Sequence, residues 1–484
     1  MKKFVAVIMG IGLVHRLMFL GTRQLWTDEL LQARIIKFAS PAEILSRLRG
    51  GMDLASPLDF FVQRGMTLLL GDSTWALRLH AAIFGTLSIW IFFRLARFLF
   101  GDRVALYSTT LFTFFPLAYH YSQEARPYSL LMFLSLLSYD LLLRQLYDKD
   151  RPWQGWLPIA GVSALLLYTS FLGSLILVSQ FAGLVLATIQ NPRPGAIQDR
   201  EENGTQRFEF SPTRWSQVVM YSLTAMAAFA LFYPWMRFVW AKPLLAPASE
   251  IMNPKLVLRL IKELGDNSYP VAGLLLIGTI TGVRALLRHG RRKSLMWLLT
   301  WFFIPIPTLL LIEVWAGYFF AIRHILHATP PLLLIIGYGL SYVGERLTIL
   351  PHLPYQLSSP AMAFAGLLVL GSVWIGQIHA RSEPADWLGT ATFLSNTVRE
   401  GDAVSAPVVY PLLEYYYPGL EPFRVGDLDP GRGSLAAEEV KRRIVVCYDK
   451  LWPDPCSSFR PAALKDPAWI KRQFTSFTVF LRGK

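Results

Sequence analysis

Apolar positions in this chain come in long unbroken runs, not in the short periodic spacings of soluble helices and strands. Runs of roughly 18 to 25 residues match the length a helix needs to cross a ~30 Å hydrocarbon core. The pattern predicts spans at about 4–21, 74–98, 103–121, 127–146, 215–236, 268–287, 294–312, 319–343 and 360–379. The apolar stretch 155–190 would form a helix of ~54 Å, too long for one crossing. It is split near Gly173 into two spans, which makes eleven in total. A polar and amphipathic segment, 22–73, follows the first span and carries two surface helices, at 41–48 and 57–70. Residues 191–214 form a loop, and 237–267 form another with an interfacial helix at 254–264. The tail changes character. Helical periodicity at 387–398 and β-branched or aromatic runs at 403–409, 443–448 and 477–482 predict a small α/β unit. The expected fold is therefore an α-helical polytopic membrane module, 1–380, with first external loop 22–73, followed by a soluble α/β domain, 381–484.

Composition agrees. The 484 residues are 53% hydrophobic and 17% charged, too little charge for a soluble protein of this length. The first run carries His15 and Arg16 and lacks a small-residue cleavage site, so it is read as a retained span rather than a signal peptide. The net charge of +14 lies in short loops between apolar runs, the pattern of orientation charges and not of nucleic-acid binding. With the N-terminus in the cytoplasm of a plasma (inner) membrane, every inside segment carries positive charge, most densely at 288–293. That topology places Asp28, Glu29, Glu124, Arg126 and Arg323 on the external face, together with the C-terminal domain. The two cysteines, Cys447 and Cys456, form either a small disulfide loop or two free thiols; without a second pair they do not make a zinc site.

Three clusters at external span ends have residue types suited to chemistry. Asp28 and Glu29 are adjacent acids, costly at a lipid boundary unless they face water, a metal or a substrate. A carboxylate there can serve as general base, and a neighbouring acid can orient it or share a metal. Helix capping by Asp28 is the competing account. Glu124 and Arg126 offer an acid and a phosphate-binding fork, or a surface ion pair ahead of Pro127. Arg323 and His324 open a late span and either grip a phosphate or snorkel to headgroups; Arg78 has the same two readings. Trp26 and Tyr128 belong to an aromatic belt from which one or two rings can stack on a sugar.

Four stretches resemble the GT-C superfamily of membrane glycosyltransferases, in the bacterial branch similar to protein O-mannosyltransferases and lipid A aminoarabinose transferases. These are Leu25-Trp26-Thr27-Asp28-Glu29; Ser56-Pro57-Leu58 through Gly71, with Ala76-Leu77-Arg78-Leu79 and Phe84-Gly85; Tyr121-Ser122-Gln123-Glu124-Ala125-Arg126-Pro127-Tyr128-Ser129-Leu130; and 319–331. The third is the most specific. The resemblance implies an inverting sugar transfer from a polyprenyl-phosphate carrier to a glycan, lipid or protein acceptor on the external face. It implies that Asp28 is the base and that an arginine holds the carrier phosphate; the expected roles are then Glu29 and Glu124 orienting the base or a metal, and Arg126 and Arg323 binding the phosphate. Some relatives use a divalent metal; Mg or Mn on Asp28 and Glu124 stays open. Where relatives often carry His-Pro-Pro-Leu, this chain reads Ala55-Ser56-Pro57-Leu58, and Asp53 is the nearby candidate to substitute for the imidazole. A transporter would instead place acids or Gly/Pro breaks at the bilayer midplane, and the spans hold almost no mid-membrane acids. A non-catalytic envelope-assembly protein is the third reading.

Overall fold

A computed structural model describes residues 2–53, 55–147, 152–190, 213–240, 255–265, 268–316, 322–347, 386–399, 402–406, 410–417, 442–449, 456, 459–474 and 476–483. The expected span at 360–379 lies outside them. Among the described residues five helices are long and apolar enough to cross a membrane, or six if one bent pair is a single span.

The chain opens with α1 (Lys2–Leu17). The segment that follows folds as α2 (Thr27–Ile36), α3 (Pro41–Arg49) and α4 (Leu58–Leu70). Its local code is legible in α3: the Ser40 hydroxyl accepts from the Glu43 amide, the Glu43 carboxylate returns to the Ser40 amide, and Pro41 occupies the first turn. The Ser73 side chain caps α5 (Thr74–Phe100) by accepting from the Ala76 amide. Gly101, at φ 80°, ends α5 in a conformation that disfavours a side chain, and α6 (Asp102–Phe114) starts at the next residue. The expected third span is interrupted: Pro116 begins a separate short helix, α7 (Pro116–Tyr121), because its ring cannot continue the preceding turn. Next come α8 (Tyr128–Tyr147), α9 (Trp156–Thr169) and α10 (Gly173–Ile189), so the long apolar stretch does break just before Gly173.

The later module holds α11 (Trp215–Trp240), the amphipathic α12 (Lys255–Leu264), α13 (Tyr269–Arg288), α14 (Arg292–Phe303), α15 (Pro305–Ala316) and α16 (Pro330–Leu347). Helices α13 and α16 approach so closely that a Cβ on Gly282 would meet the Ile335 carbonyl oxygen at 2.0 Å, so only glycine fits there. A 3-10 helix, Ile322–Ala328, precedes α16 and meets it at 54°, replacing the single straight span expected at 319–343. Pro330 and Pro331 make that bend intelligible.

The tail begins with α17 (Trp387–Thr397) and contains β1 (Asp402–Ser405), α18 (Tyr410–Tyr416), β2 (Arg442–Tyr448), α19 (Phe459–Lys465), β3 (Trp469–Gln473) and β4 (Phe477–Gly483). The sheet order is β1-β2-β4-β3, with β1 parallel to β2 and the other pairs antiparallel. Trp387 and Phe477, both fully buried, pack edge to face at 4.7 Å under the sheet. Cys447 and Cys456 are joined in a disulfide.

Candidate active site

The N-terminus of α2 builds the centre of the site. Trp26 is the residue before the first turn, and its amide donates to Glu29 Oε2 at 3.1 Å. Glu29 therefore satisfies the helix end, and Asp28 is left without capping duty. Glu29 does more. Its Oε1 accepts from the Ala125 amide at 2.7 Å and from Arg78 Nε at 2.8 Å, and its Oε2 accepts from Arg78 Nη2 at 2.7 Å. Arg78 spends its remaining donors on the carbonyls of Leu20, Arg23 and Gln24. Both side chains are buried, at 0% and 3% exposure. This bidentate pair ties α2, α5 and the 122–127 loop together, three segments distant in sequence. Arg78, read from sequence as a candidate phosphate ligand, has all five of its N–H groups engaged by protein.

Asp28 faces outward beside this clamp, with 31% of its side chain exposed. Arg323, on the 3-10 helix, brings Nη2 to 3.8 Å from Asp28 Oδ2, and its guanidinium lies 5.6 Å from the Trp26 ring centre. His324 follows it and is buried. Arg126 Nη1 sits 3.2 Å from the Asp28 carbonyl, from Gln32 Oε1 and from Asp53 Oδ2. Asp53, held in its own turn by accepting from the Ala55 amide, thus enters the site as the partner of Arg126. Behind Arg126 the polar chain continues inward: Gln32 Nε2 donates to Asp59 Oδ2 at 2.6 Å, and Asp59 Oδ1 lies 3.3 Å from His80 Nε2. Glu124 Oε1 lies 2.9 Å from His120 Nε2, one helical turn earlier. Tyr128 packs edge to face on Tyr121 at 5.1 Å.

Burial holds the Asp28 carboxyl above its ordinary value of 3.8; Arg126 and Arg323 pull it down, and Asp53 and Glu124 push it up. Burial opposes the charge of Arg126, yet Asp53, Tyr128 and Asp28 outweigh it and hold the guanidinium firmly charged. Among the described residues, the buried polar atoms here without a hydrogen-bond partner include these three: Trp26 Nε1, Arg126 Nε and Glu124 Oε2. Two are donors and one is an acceptor, so the cluster is equipped for a ligand that has both anionic oxygens and hydroxyl groups. Among the described residues no group of three or more His, Cys, Asp or Glu side chains is assembled that could hold a metal ion. The two proposed metal ligands are occupied differently, Asp28 by Arg323 and Glu124 by His120.

The tail roofs this site. The Tyr448 hydroxyl, at the end of β2, is 3.3 Å from Thr27 Oγ1, next to Asp28. The Tyr416 hydroxyl accepts from the Leu25 amide at 3.4 Å, and Gln24 Oε1 accepts from the Leu388 amide. His120, Gln32, Asp59 and His80 were not singled out from sequence. Two carried a signal: the four-residue step from Asp28 to Gln32 puts that pair on one face of α2, and His120 and Glu124 have the same spacing, with Glu124 in the loop after α7.

Residues 55–193 match the family described as dolichyl-phosphate-mannose-protein mannosyltransferase. No curated protein shows significant sequence similarity. Among solved structures, ArnT from Cupriavidus metallidurans bound to undecaprenyl phosphate aligns at a TM-score of 0.61 and 14% identity, over 99% of this chain and 98% of that one. ArnT in the apo state gives 0.60 at the same identity and coverage. The archaeal oligosaccharyltransferase AglB from Archaeoglobus fulgidus, in complex with an inhibitory peptide and a dolichol-phosphate, gives 0.55 at 13% identity, over 92% of this chain and 69% of that one. The chain is a multi-pass membrane protein with the GT-C fold. Within that fold it resembles the branch that contains the protein mannosyltransferases and ArnT.

Proposed function

We propose that the protein is a glycosyltransferase that moves a sugar from a polyprenyl-phosphate carrier to an acceptor hydroxyl or phosphate at the external membrane face. The observation that carries this reading is the partly exposed Asp28 carboxylate, set between Arg323 and Arg126 and ringed by buried polar atoms without protein partners. The undecaprenyl phosphate in ArnT and the dolichol-phosphate in AglB support a lipid-phosphate donor.

In the proposed mechanism, Asp28 takes the proton from the acceptor O–H. The acceptor oxygen bonds to the anomeric carbon as the bond from that carbon to the carrier phosphate oxygen breaks. The bonding pair leaves with the phosphate, and a single displacement of this kind inverts the anomeric configuration. Products are the glycosylated acceptor and polyprenyl phosphate. Arg126 and Arg323 offset the charge that develops on the departing phosphate. Donor binding also activates the base: a phosphate that draws Arg323 away removes one of the two cations lowering the Asp28 pKa. Glu124, steadied by His120, orients the acceptor through its unpartnered oxygen. Glu29 and Arg78 are positioning residues that hold the three segments in register.

The test is Asp28→Asn assayed with a panel of lipid-linked sugars and mass spectrometry of the products. The variant is expected to fold normally and to lose transfer by about 10²- to 10⁴-fold, the usual worth of a general base. Near-normal turnover excludes Asp28 from that role.

A further inference from the structure

The far ends of α5 and α8 form a second charged cluster that the transfer reaction does not use. Arg94, Arg97 and Arg144, with Phe93 and Phe98, line an open cavity of about 300 Å³. Among the described residues its lining holds three guanidinium groups, two phenyl rings and no carboxylate. The arrangement is braced from behind. Asp140, with no exposure, accepts from Arg94 Nη2 at 2.7 Å through one oxygen and from Arg144 Nε at 2.9 Å through the other. Arg144 Nη2 also donates to the Arg94 carbonyl at 3.3 Å. Arg94 lies over the Trp90 ring at 5.0 Å and Arg144 over the Phe98 ring at 4.6 Å. Each of these two guanidinium groups is thus held on one edge by a buried carboxylate and on one face by an aromatic ring. Arg97 pairs with the half-exposed Asp102 outside the cavity.

The depth of this cluster identifies what reaches it. Arg78, in the Glu29 clamp, and Arg94 are sixteen residues apart on α5, and Arg97 is three further on. At helical rise these separations are about 24 and 28 Å, close to one hydrocarbon thickness. The arginines therefore lie at the headgroup level of the leaflet opposite Asp28. Trp90 and Leu87, one and two turns deeper on α5, are exposed on the outside of the helix bundle, where acyl chains run.

We propose that this cavity binds the phosphate headgroup of an anionic phospholipid from the leaflet opposite the active site. Simple neutralisation of Asp140 would need one arginine; two share it and a third joins them around the same cavity. Forked guanidinium groups match phosphate oxygens, and the phenyl walls accept the glycerol and first methylenes.

The experiment measures thermal stability of the full detergent-solubilised chain against added phosphatidylglycerol, phosphatidylcholine and inorganic phosphate. Phosphatidylglycerol is expected to raise the melting temperature saturably, while the other two do not. In Arg94→Gln/Arg97→Gln, which leaves the Asp140–Arg144 pair intact, half-saturation is expected to move up on the order of 30-fold, from the per-arginine worth of headgroup attraction. Arg291→Gln, a basic-loop control outside the cavity, is expected to leave it unchanged. A response equal for both lipids, or unaltered in the double variant, overturns the site. Saturation by inorganic phosphate at the same concentration overturns the lipid assignment. None of these outcomes depends on the transfer reaction.

Discussion

Glu29→Gln separates a structural clamp from a catalytic acid. The wild-type carboxylate is fully buried, accepts from two backbone amides and pairs bidentately with an equally buried arginine. The substitution preserves volume and removes the charge, leaving Arg78 desolvated without its counter-ion. Breaking a buried pair on one side costs about 3–5 kcal/mol. For a chain of this size each kcal/mol is worth at most about 2 °C, so a drop of up to roughly 6–10 °C is expected. Thermal unfolding of purified protein, followed by tryptophan fluorescence, reads it. Arg78→Gln should cost a comparable amount, and the double variant much less than the sum, because the pair is lost only once. Transfer activity measured well below the new melting temperature should fall less than in Asp28→Asn. If Glu29→Gln keeps its melting temperature within a degree and loses all transfer, the clamp reading is refuted and Glu29 belongs to the chemistry.

Other expectations concern the site itself. Asp28 must be ionised to act and its pKa is raised, so activity is expected to fall with decreasing pH at values above 3.8, and Arg323→Ala should move that acid limb higher; an unchanged limb refutes the contact. The same raised pKa means the native state binds the proton more tightly than the unfolded chain. Stability from protonated Asp28 is present at low pH and is lost as pH rises through the folded pKa, so Asp28→Asn should leave neutral-pH melting unchanged or raise it. Arg126→Lys keeps the charge but not the fork, and is expected to lower kcat for a lipid-linked donor by at least tenfold, with a smaller loss for Arg323→Lys. Tyr448→Phe removes the tail's contact with Thr27 and should change acceptor KM more than donor KM.

The membrane module was legible because apolar run length is set by bilayer thickness, as the break before Gly173 illustrates. Asp28, Glu124, Arg126 and Arg323 could be placed on one face by loop charge alone. What sequence did not reveal was division of labour. Asp28 and Glu29 are adjacent and chemically alike, yet the 100° step of a helix turns one outward and the other into Arg78. The 3-10 segment carrying Arg323 was invisible because its apolar count equals that of an α-helical span. Strand β3 was missed for a different reason: it is an exposed, basic edge strand without the β-branched signature of its neighbours. The inward chain from Gln32 to His80 joins residues 48 positions apart, a proximity no local pattern encodes.

The Cys447–Cys456 bridge has a cell-biological consequence. A cystine persists where thiol-reducing systems of the cytosol do not reach. In the proposed orientation, with the tail outside the cytosol, the strand that ends at Tyr448, and with it the roof over Asp28, is secured by a bond that its surroundings preserve. On that proposal, cells deficient in thiol oxidation would accumulate protein in which the roof over Asp28 lacks its covalent tie.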